Sequence, residues 1–364
     1  MNLEKRVAIP THDITEGQYR QLKDRLSYSN LKTYATNRTK FYKECVLGEI
    51  REQEQTVATL IGDITHTLLS GQEFDDKFVI ATATEPTGQM LDLVNALYKI
   101  TLKSINSEGV QTEQFETLFI DAVNEVKYDR DLKEVKFKGK SVEKIVEMFS
   151  GTDSEIFYKE KLSCIGKTLV SINNIQSAER LAEQLKTHPY SCDIANIQTG
   201  GDIEVFTELI ILYEIDGVGY RSMVDKLVVD HSKKTITPYD WKCTWSNEEG
   251  FEYNYLKNLY SIQAGLYDMA IWHWKREHGL EYKVNPMTYI AADTTSNNAP
   301  VVYKLTAQDI EMAKHGYKVR GKYYPGVLEL LDNIKWHVET GIWNTSKKIY
   351  ESKGVVGLEI DYEK

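Results

Sequence analysis

The segment that most restricts this chain is 204–244, which reads as three consecutive strands. EVFTELIILYEI (204–215) is rich in β-branched and aromatic residues, the composition that fits a pleated, half-buried surface. Asp216-Gly217 follows, a dipeptide that accepts the positive φ angles of a tight hairpin turn. VGYRSMVDKLVVD then reads as the returning strand, and His231-Ser232-Lys233-Lys234 as the turn into TITPYDWKCTW. The expectation is a three-stranded antiparallel meander. Such a sheet must bury at least one face, and segments of helical period lie on both sides of it in the sequence. An α/β or α+β fold follows, with a core sheet flanked by helices.

The first third reads as helical. Ser29 is the expected N-cap of a helix through SNLKTYATNRTKFYKECVL. A second helix, about 55–70, carries Val57, Leu60, Ile61, Ile64 and Leu68 at spacings of three and four. KFVIAT (77–82) reads as a short strand and 88–195 as a run of helices. After the meander come a long helix over 252–278, strands at 284–292 and 300–305, and a helical region over 306–340. No Gly/Ser/Pro-rich linker divides the chain, so one domain over 1–364 is expected, with 95–195 as an inserted helical subdomain.

Hydrophobic residues at 41% and charged residues at 27% are ordinary for a globular protein. No stretch approaches the ~20 consecutive apolar residues of a membrane helix, and no membrane partner is expected. The opening MNLEKRVAIPTHD lacks the apolar core of a signal peptide. Cys45, Cys164, Cys192 and Cys243 are scattered, with no C-x-x-C pair, which argues against a zinc ribbon, a disulfide framework and a local iron–sulfur motif. A reduced, intracellular protein is expected. The net charge of −10 runs against a surface that grips many phosphates, unless carboxylates gather around cations and a basic channel lies inside an acidic exterior.

Chemistry concentrates in the meander. Asp225 lies on its second strand and Asp240-Trp241-Lys242 on its third. Side chains alternate along a strand, so Asp240 and Lys242 point the same way, and the tight turn brings Asp225 beside them. Paired carboxylates suit a hard divalent cation, which polarises a phosphoryl oxygen and acidifies a water; a lysine there orients that water. The plain alternative is an Asp–Lys ion pair on an exposed strand face, which is worth little.

The order of these residues resembles the P-D-(D/E)-x-K nuclease superfamily. Two further segments resemble its RecB-like and RecE-like branches. Gly62-Asp63-Ile64-Thr65-His66 is similar to their G-x-x-x-H helix, and Gln263-Ala264-Gly265-Leu266-Tyr267 to their Q-x-x-x-Y motif. GDITHTLLSGQEFDDKFVIA and SYSNLKTYATNRTKFYKE look most like the exodeoxyribonuclease VIII group. The resemblance covers about 27–82 and 204–275; the helical stretch between them matches no named pattern.

The resemblance implies a restriction-endonuclease-like mixed sheet flanked by helices. It implies that His66, Asp225 and Asp240 bind metal with the backbone carbonyl of Trp241. Lys242 would position or activate the attacking water, and Gln263 and Tyr267 would shape the substrate side of the cleft. Glu208, on the preceding strand, would hold a second metal or support the first; the alternative is a plain solvent-facing residue. The cofactor implied is one or two Mg²⁺ or Mn²⁺ ions. Asp rather than Glu precedes x-Lys here, a change the superfamily permits. No cysteine follows Cys243, so the late cluster of the iron–sulfur members is missing and no iron–sulfur cluster is expected.

For DNA, KHGYKVRGKYY (314–324) interleaves Lys314, Lys318, Arg320 and Lys322 with Tyr317, Tyr323 and Tyr324. Cations track phosphates and aromatic faces stack on bases, although a charge run is most often a solvated helix face. Arg38, Lys40 and Lys43 are candidates for the mouth of the cleft beside the His66 helix. The activity implied is 5′-to-3′ exonuclease action on double-stranded DNA ends, leaving single-stranded product, in phage-like recombination. The group also implies a single-strand annealing protein as partner, a homo-oligomeric ring, and the cytoplasm of a bacterial or phage-infected host cell. Competing readings are a single-strand or structure-specific endonuclease of the same superfamily, and a non-catalytic DNA-binding protein with this fold.

Overall fold

Asp216 and Gly217 both take positive φ, 50° and 78°, so the hairpin closes in a two-residue turn whose twist suits its strands. β1 (Ile203–Ile215) and β2 (Val218–Asp230) pair antiparallel on either side of it. β3 (Thr235–Thr244) then pairs antiparallel with β2 from Asp230↔Thr235 to Lys226↔Tyr239. From Tyr239 onward β3 also pairs on its other side, parallel to β4 (Thr288–Asp293), from Tyr239↔Thr288 to Thr244↔Asp293. β5 (Val301–Lys304) closes the far edge antiparallel to β4. The strand order is therefore β1-β2-β3-β4-β5, a mixed sheet, with Lys283–Val284 paired to the start of β3.

This computed structural model describes residues 14, 16–49, 56–105, 111–128, 133–245, 248, 250–355 and 357. The opening MNLEKRVAIPTHD lies outside them. The chain forms two compact units, Met1–Ser70 with Arg180–Lys364, and Gly71–Glu179. The second has its own core, in which Leu93, Leu97, Leu118, Phe119, Ile145 and Phe149 meet. It is built from helices Gly88–Ser104, Phe115–Lys127, Val142–Phe149 and Asp153–Ser163. Strands Phe78–Ile80 and Thr168–Val170 pair in parallel within it. The helix Asp153–Ser163 falls within the expected run of helices over 88–195, whereas the strand Thr168–Val170 interrupts it. DSEIFYKEKLS mixes polar and apolar residues around the helix without a stripe.

In the first unit, six helices matter for the site: α1 (Tyr28–Thr36), α2 (Val57–Ser70), α3 (Phe251–Lys257), α4 (Tyr260–Glu277), α5 (Ala307–His315) and α6 (Val327–Thr340). The cap of α1 lies two residues before the expected one: Ser27 is the N-cap, and its N–H donates to Asn30 Oδ1 at 2.9 Å. It ends at Asn37, whose side chain accepts from Lys40 N and starts a new short helix, Arg38–Phe41. The helix expected over 252–278 is likewise broken, because Leu259 takes φ 55° between α3 and α4. Within 306–340, Tyr317–Val319 and Lys322–Tyr324 form a β-hairpin that turns at Arg320 and Gly321, φ 49° and 75°.

α2 and α4 cover opposite faces of β3. A methyl group added at Gly62 of α2 would meet Cys243 Cβ at 3.7 Å, an ordinary contact, so α2 lies on the Trp241/Cys243 face. α4 lies on the Asp240/Lys242 face. There its Ile262, Leu266, Ala270 and Trp274 join Ile211, Tyr213, Val224 and Tyr289 in one buried cluster. A mixed central sheet flanked by helices, with a helical insertion, is the restriction-endonuclease-like architecture. No helix among the described residues is long and apolar enough to cross a membrane.

Candidate active site

β2 parts from both neighbours at Asp225. Its ladder with β1 runs through Thr207↔Lys226 and resumes at Leu209↔Val224, passing over Glu208 and Asp225. Glu208 has φ 51°, a left-handed conformation that costs a residue with a side chain on the order of 1–3 kcal/mol. On the other side, the ladder with β3 ends at Lys226↔Tyr239. The Asp225 carboxylate takes over from the backbone, its Oδ2 accepting Trp241 N–H at 2.9 Å. Lys226, the next residue, is buried, and its Nζ donates to the carbonyls of Ile194, Ala195 and Ile197 at 2.8–2.9 Å. The sheet forks at this point, where β2 leaves β3 beyond Lys226↔Tyr239.

His66 reaches the fork from α2. Its Nε2 lies 3.0 Å from the Trp241 carbonyl and its Nδ1 3.4 Å from Asp225 Oδ2. Ligand atoms of His66, Glu208 and Asp225 all lie within 4.8 Å of one another. Asp240 is wholly buried. Its Oδ1 accepts from Gln263 Nε2 at 2.7 Å, and its Oδ2 pairs with the Lys242 ammonium. Lys242 Nζ also lies 4.8 Å from the Tyr260 ring centre and 5.7 Å from that of Tyr289, where ring faces favour a cation. Tyr267 is buried, and burial first and then the Asp240 charge hold its hydroxyl well above its ordinary pKa.

The electrostatics follow from crowding. Burial, and then the Asp225 charge, push the Asp240 carboxyl up to about 6 against the opposing pull of Lys242. Burial alone would lower the His66 pKa; Asp225, Glu208 and Asp240 outweigh it, and the net direction is up. Burial likewise opposes the charge on Lys242, but Asp240, Tyr260 and Asp225 raise its pKa overall. Lys242 is therefore an ammonium at neutral pH.

These residues fit a divalent cation. Glu208 and Asp225 face each other across β1 and β2, where like charges destabilise a sheet. Asp240 adds a third carboxylate, against one ammonium. An imidazole nitrogen, the carboxylates of Glu208 and Asp225 and a backbone carbonyl form an oxygen-rich donor set of the kind hard cations take.

Other residues expected at the site stand elsewhere. Lys318, Arg320 and Lys322 are exposed on the hairpin, with Arg320 3.9 Å from Glu252. Tyr317 and Tyr324 of the same hairpin stack on each other at 5.3 Å, and Tyr317 OH bonds Ser261. The hairpin thus turns part of its aromatic content inward. Arg38 acts on Tyr34 and His337, and Lys40 pairs with Glu44 at 3.8 Å. Among the described residues, no contact joins these cations to the His66 cluster. Sequence reading passed over Tyr28, Lys32 and Asn258. Tyr28 OH donates to the Asn258 carbonyl at 2.5 Å, and Lys32 Nζ to Asn258 Oδ1 at 2.9 Å. The only available signal was the likeness of SYSNLKTY to an opening helix, which singles out no side chain.

Comparison with known proteins adds little. No protein-family model matches the chain, and no curated protein matches it. Among solved structures, a protein from Eubacterium rectale named as a putative exonuclease aligns over 96% of each chain, at 12% identity and a TM-score of 0.45. A likeness at that level carries no argument about this chain.

Proposed function

We propose that this protein is a metal-dependent nuclease that hydrolyses DNA phosphodiester bonds, acting as an exonuclease on double-stranded ends. The observation that carries the proposal is the convergence of His66, Glu208, Asp225 and Asp240 with Lys242 where the sheet forks. His66, Asp225, Asp240 and the Trp241 carbonyl would hold one Mg²⁺ or Mn²⁺ ion, with Glu208 completing that site or serving a second. When bound, such an ion supplies positive charge that polarises a phosphoryl oxygen and acidifies the attacking water.

The chain's own residues do the rest. Lys242 is cationic, so it orients water and offsets charge building on the phosphate; it does not act as the base. Gln263 holds Asp240 by its amide, and Tyr267, one turn further along α4, would shape the substrate side of the cleft. The net charge of −10 does not oppose the reading, because carboxylates placed around a cation count toward the total without repelling the substrate. The 5′-to-3′ direction, a role in phage-like recombination, an annealing partner, a ring assembly and a cytoplasmic setting rest on the resemblance to exodeoxyribonuclease VIII-like enzymes.

The test is digestion of linear duplex DNA labelled at either end, beside a covalently closed circle, in Mg²⁺, Mn²⁺ or EDTA, with Lys242→Ala as control. Metal-dependent release of 5′ label, with the circle spared and the variant inert, is expected. Release of 3′ label first would reverse the direction, and cutting of the circle would make the protein an endonuclease. Binding without cleavage in either metal would leave a non-catalytic DNA-binding protein.

A further inference from the structure

Beside the fork, α1 and the α3–α4 junction bring together positive charge that the hydrolytic scheme does not use. Lys32 is half-buried and donates to Asn258 Oδ1 at 2.9 Å. Lys257, the residue before Asn258, is exposed, with its ammonium 5.6 Å from the Tyr253 ring centre. Burial lowers the pKa of Lys32, and the Lys242 and Lys257 charges lower it further. Lys242 has Asp240 as counter-ion. Among the described residues, neither Lys32 nor Lys257 has a carboxylate partner.

Asn258 joins this pair to the site. Tyr28 OH holds its carbonyl at 2.5 Å, and its Nδ2 reaches Tyr260 OH at 3.5 Å. The Tyr260 ring in turn carries Lys242 at 4.8 Å. Contacts therefore run unbroken from Lys32 through Asn258 and Tyr260 to Lys242. Like charges held close in a partly desolvated place repel, and this chain has more carboxylates than ammonium and guanidinium groups, 54 against 44. An anion arriving there relieves the repulsion.

We propose that Lys32 and Lys257 bind the phosphate adjacent to the scissile one, on the part of the substrate strand lying over α1 and the α3–α4 junction. The proposal rests on the nuclease reading of the same site and names how the substrate is held there. Both lysines are binding residues; Asn258 and Tyr28 position Lys32.

The test uses the full chain and the variants Lys32→Gln, Lys32→Arg and Lys257→Gln. Steady-state cleavage of linear duplex is measured in Mg²⁺, and duplex binding in EDTA across a salt series. Each Gln variant is expected to raise KM roughly tenfold, the size of one hydrogen bond to a charged group, with kcat within about twofold. Each should also flatten the slope of log Kd against log salt by about one, and Lys32→Arg should recover most of the loss. Unchanged KM and slope in both Gln variants would overturn the proposal. So would a fall in kcat at constant KM, which would mean that Lys32 acts only through Lys242. Lys257 is exposed, so Lys257→Gln keeps the test open should Lys32→Gln fail to fold. If the wild type neither cleaves nor binds DNA, the nuclease reading fails and pyrophosphate decides the subsite alone. Thermal stabilisation by pyrophosphate in the absence of metal, lost in Lys257→Gln, would support the subsite; equal behaviour of both proteins would remove it.

Discussion

Asp240 and Asp293 lie on neighbouring strands, both buried, and meet opposite fates. Asp293, 2% exposed, ends β4 and accepts from Thr295 N, Thr295 Oγ1, Ser296 Oγ and Asn298 Nδ2 at 2.7–3.0 Å. Burial raises its pKa, and those donors more than reverse the effect, so the net direction is down. Asp240, 0% exposed, has one neutral donor, Gln263, besides Lys242, and it feels Asp225; its pKa rises to about 6. Burial is therefore no guide to role. A buried carboxylate whose lone pairs are filled by nearby hydroxyls and amides fixes a loop. One left facing other carboxylates is waiting for a cation.

The largest effects should come from neutralising the two in turn. Asp240→Asn is expected to cut cleavage on the order of 10³-fold while leaving the metal-free fold at least as stable. Asp293→Asn should do the reverse, costing about 2–3 kcal/mol in urea unfolding with turnover per folded molecule kept. Equal loss of cleavage in both variants would erase the contrast.

The pH dependence has opposite signs at the two positions. Asp240 keeps its proton to about 6 when folded and to about 4 when unfolded. Across that window the native state binds more protons, so this group's contribution to metal-free stability falls as pH rises. The Asp293 pKa is depressed by folding, so its contribution is present at neutral pH and lost as pH falls through the folded value. A divalent cation bound as proposed would displace the protons of Asp240 and His66. The Tm gain from Mg²⁺ should then be larger at pH 7 than at pH 5, and largely absent in Asp240→Asn.

A smaller effect tests the strained strand. Asparagine tolerates the left-handed conformation better than glutamate, so Glu208→Asn should raise metal-free stability by about 1 kcal/mol and weaken Mn²⁺ binding at least roughly tenfold. Calorimetry reads both, and unchanged metal affinity would remove Glu208 from the donor set. The smallest belongs to the hairpin. Arg320 is 87% exposed in its side chain, so Arg320→Ala should change stability by less than about 0.5 kcal/mol. If DNA runs over the hairpin, the salt slope of binding falls by about one; an unchanged slope would take the hairpin off the DNA path.

The meander was legible because its signals are local. Asp216-Gly217 forces the turn, and β-branched residues fill the strands beside it, so β2 begins and ends at the residues expected. The hairpin Tyr317–Tyr324 was not, because a non-glycine residue, Arg320, supplies one of its positive φ angles and the lysines masked the alternation. Of the site, Asp225, Asp240 and Lys242 came from the strand pattern and His66 and the Trp241 carbonyl from the family resemblance, and the structure brings His66 to Asp225 and Trp241. The left-handed backbone at Glu208 and the link of Tyr28 and Lys32 to Asn258 had no such trace. The Asn258 link arises from tertiary contact between segments far apart in the chain, with separations of 230 from Tyr28 and 226 from Lys32.

The hydrogen bond from Trp241 N–H to Asp225 has a spectroscopic consequence. An amide that donates to a neighbouring carbonyl does not sense the site, whereas this one donates to a carboxylate that a bound cation would share. Its proton resonance should move when a cation binds the Asp225 carboxylate, while amides of the β1–β2 ladder away from Asp225 stay still. One backbone signal in the middle of the sheet would then report site occupancy directly, without DNA and without a label.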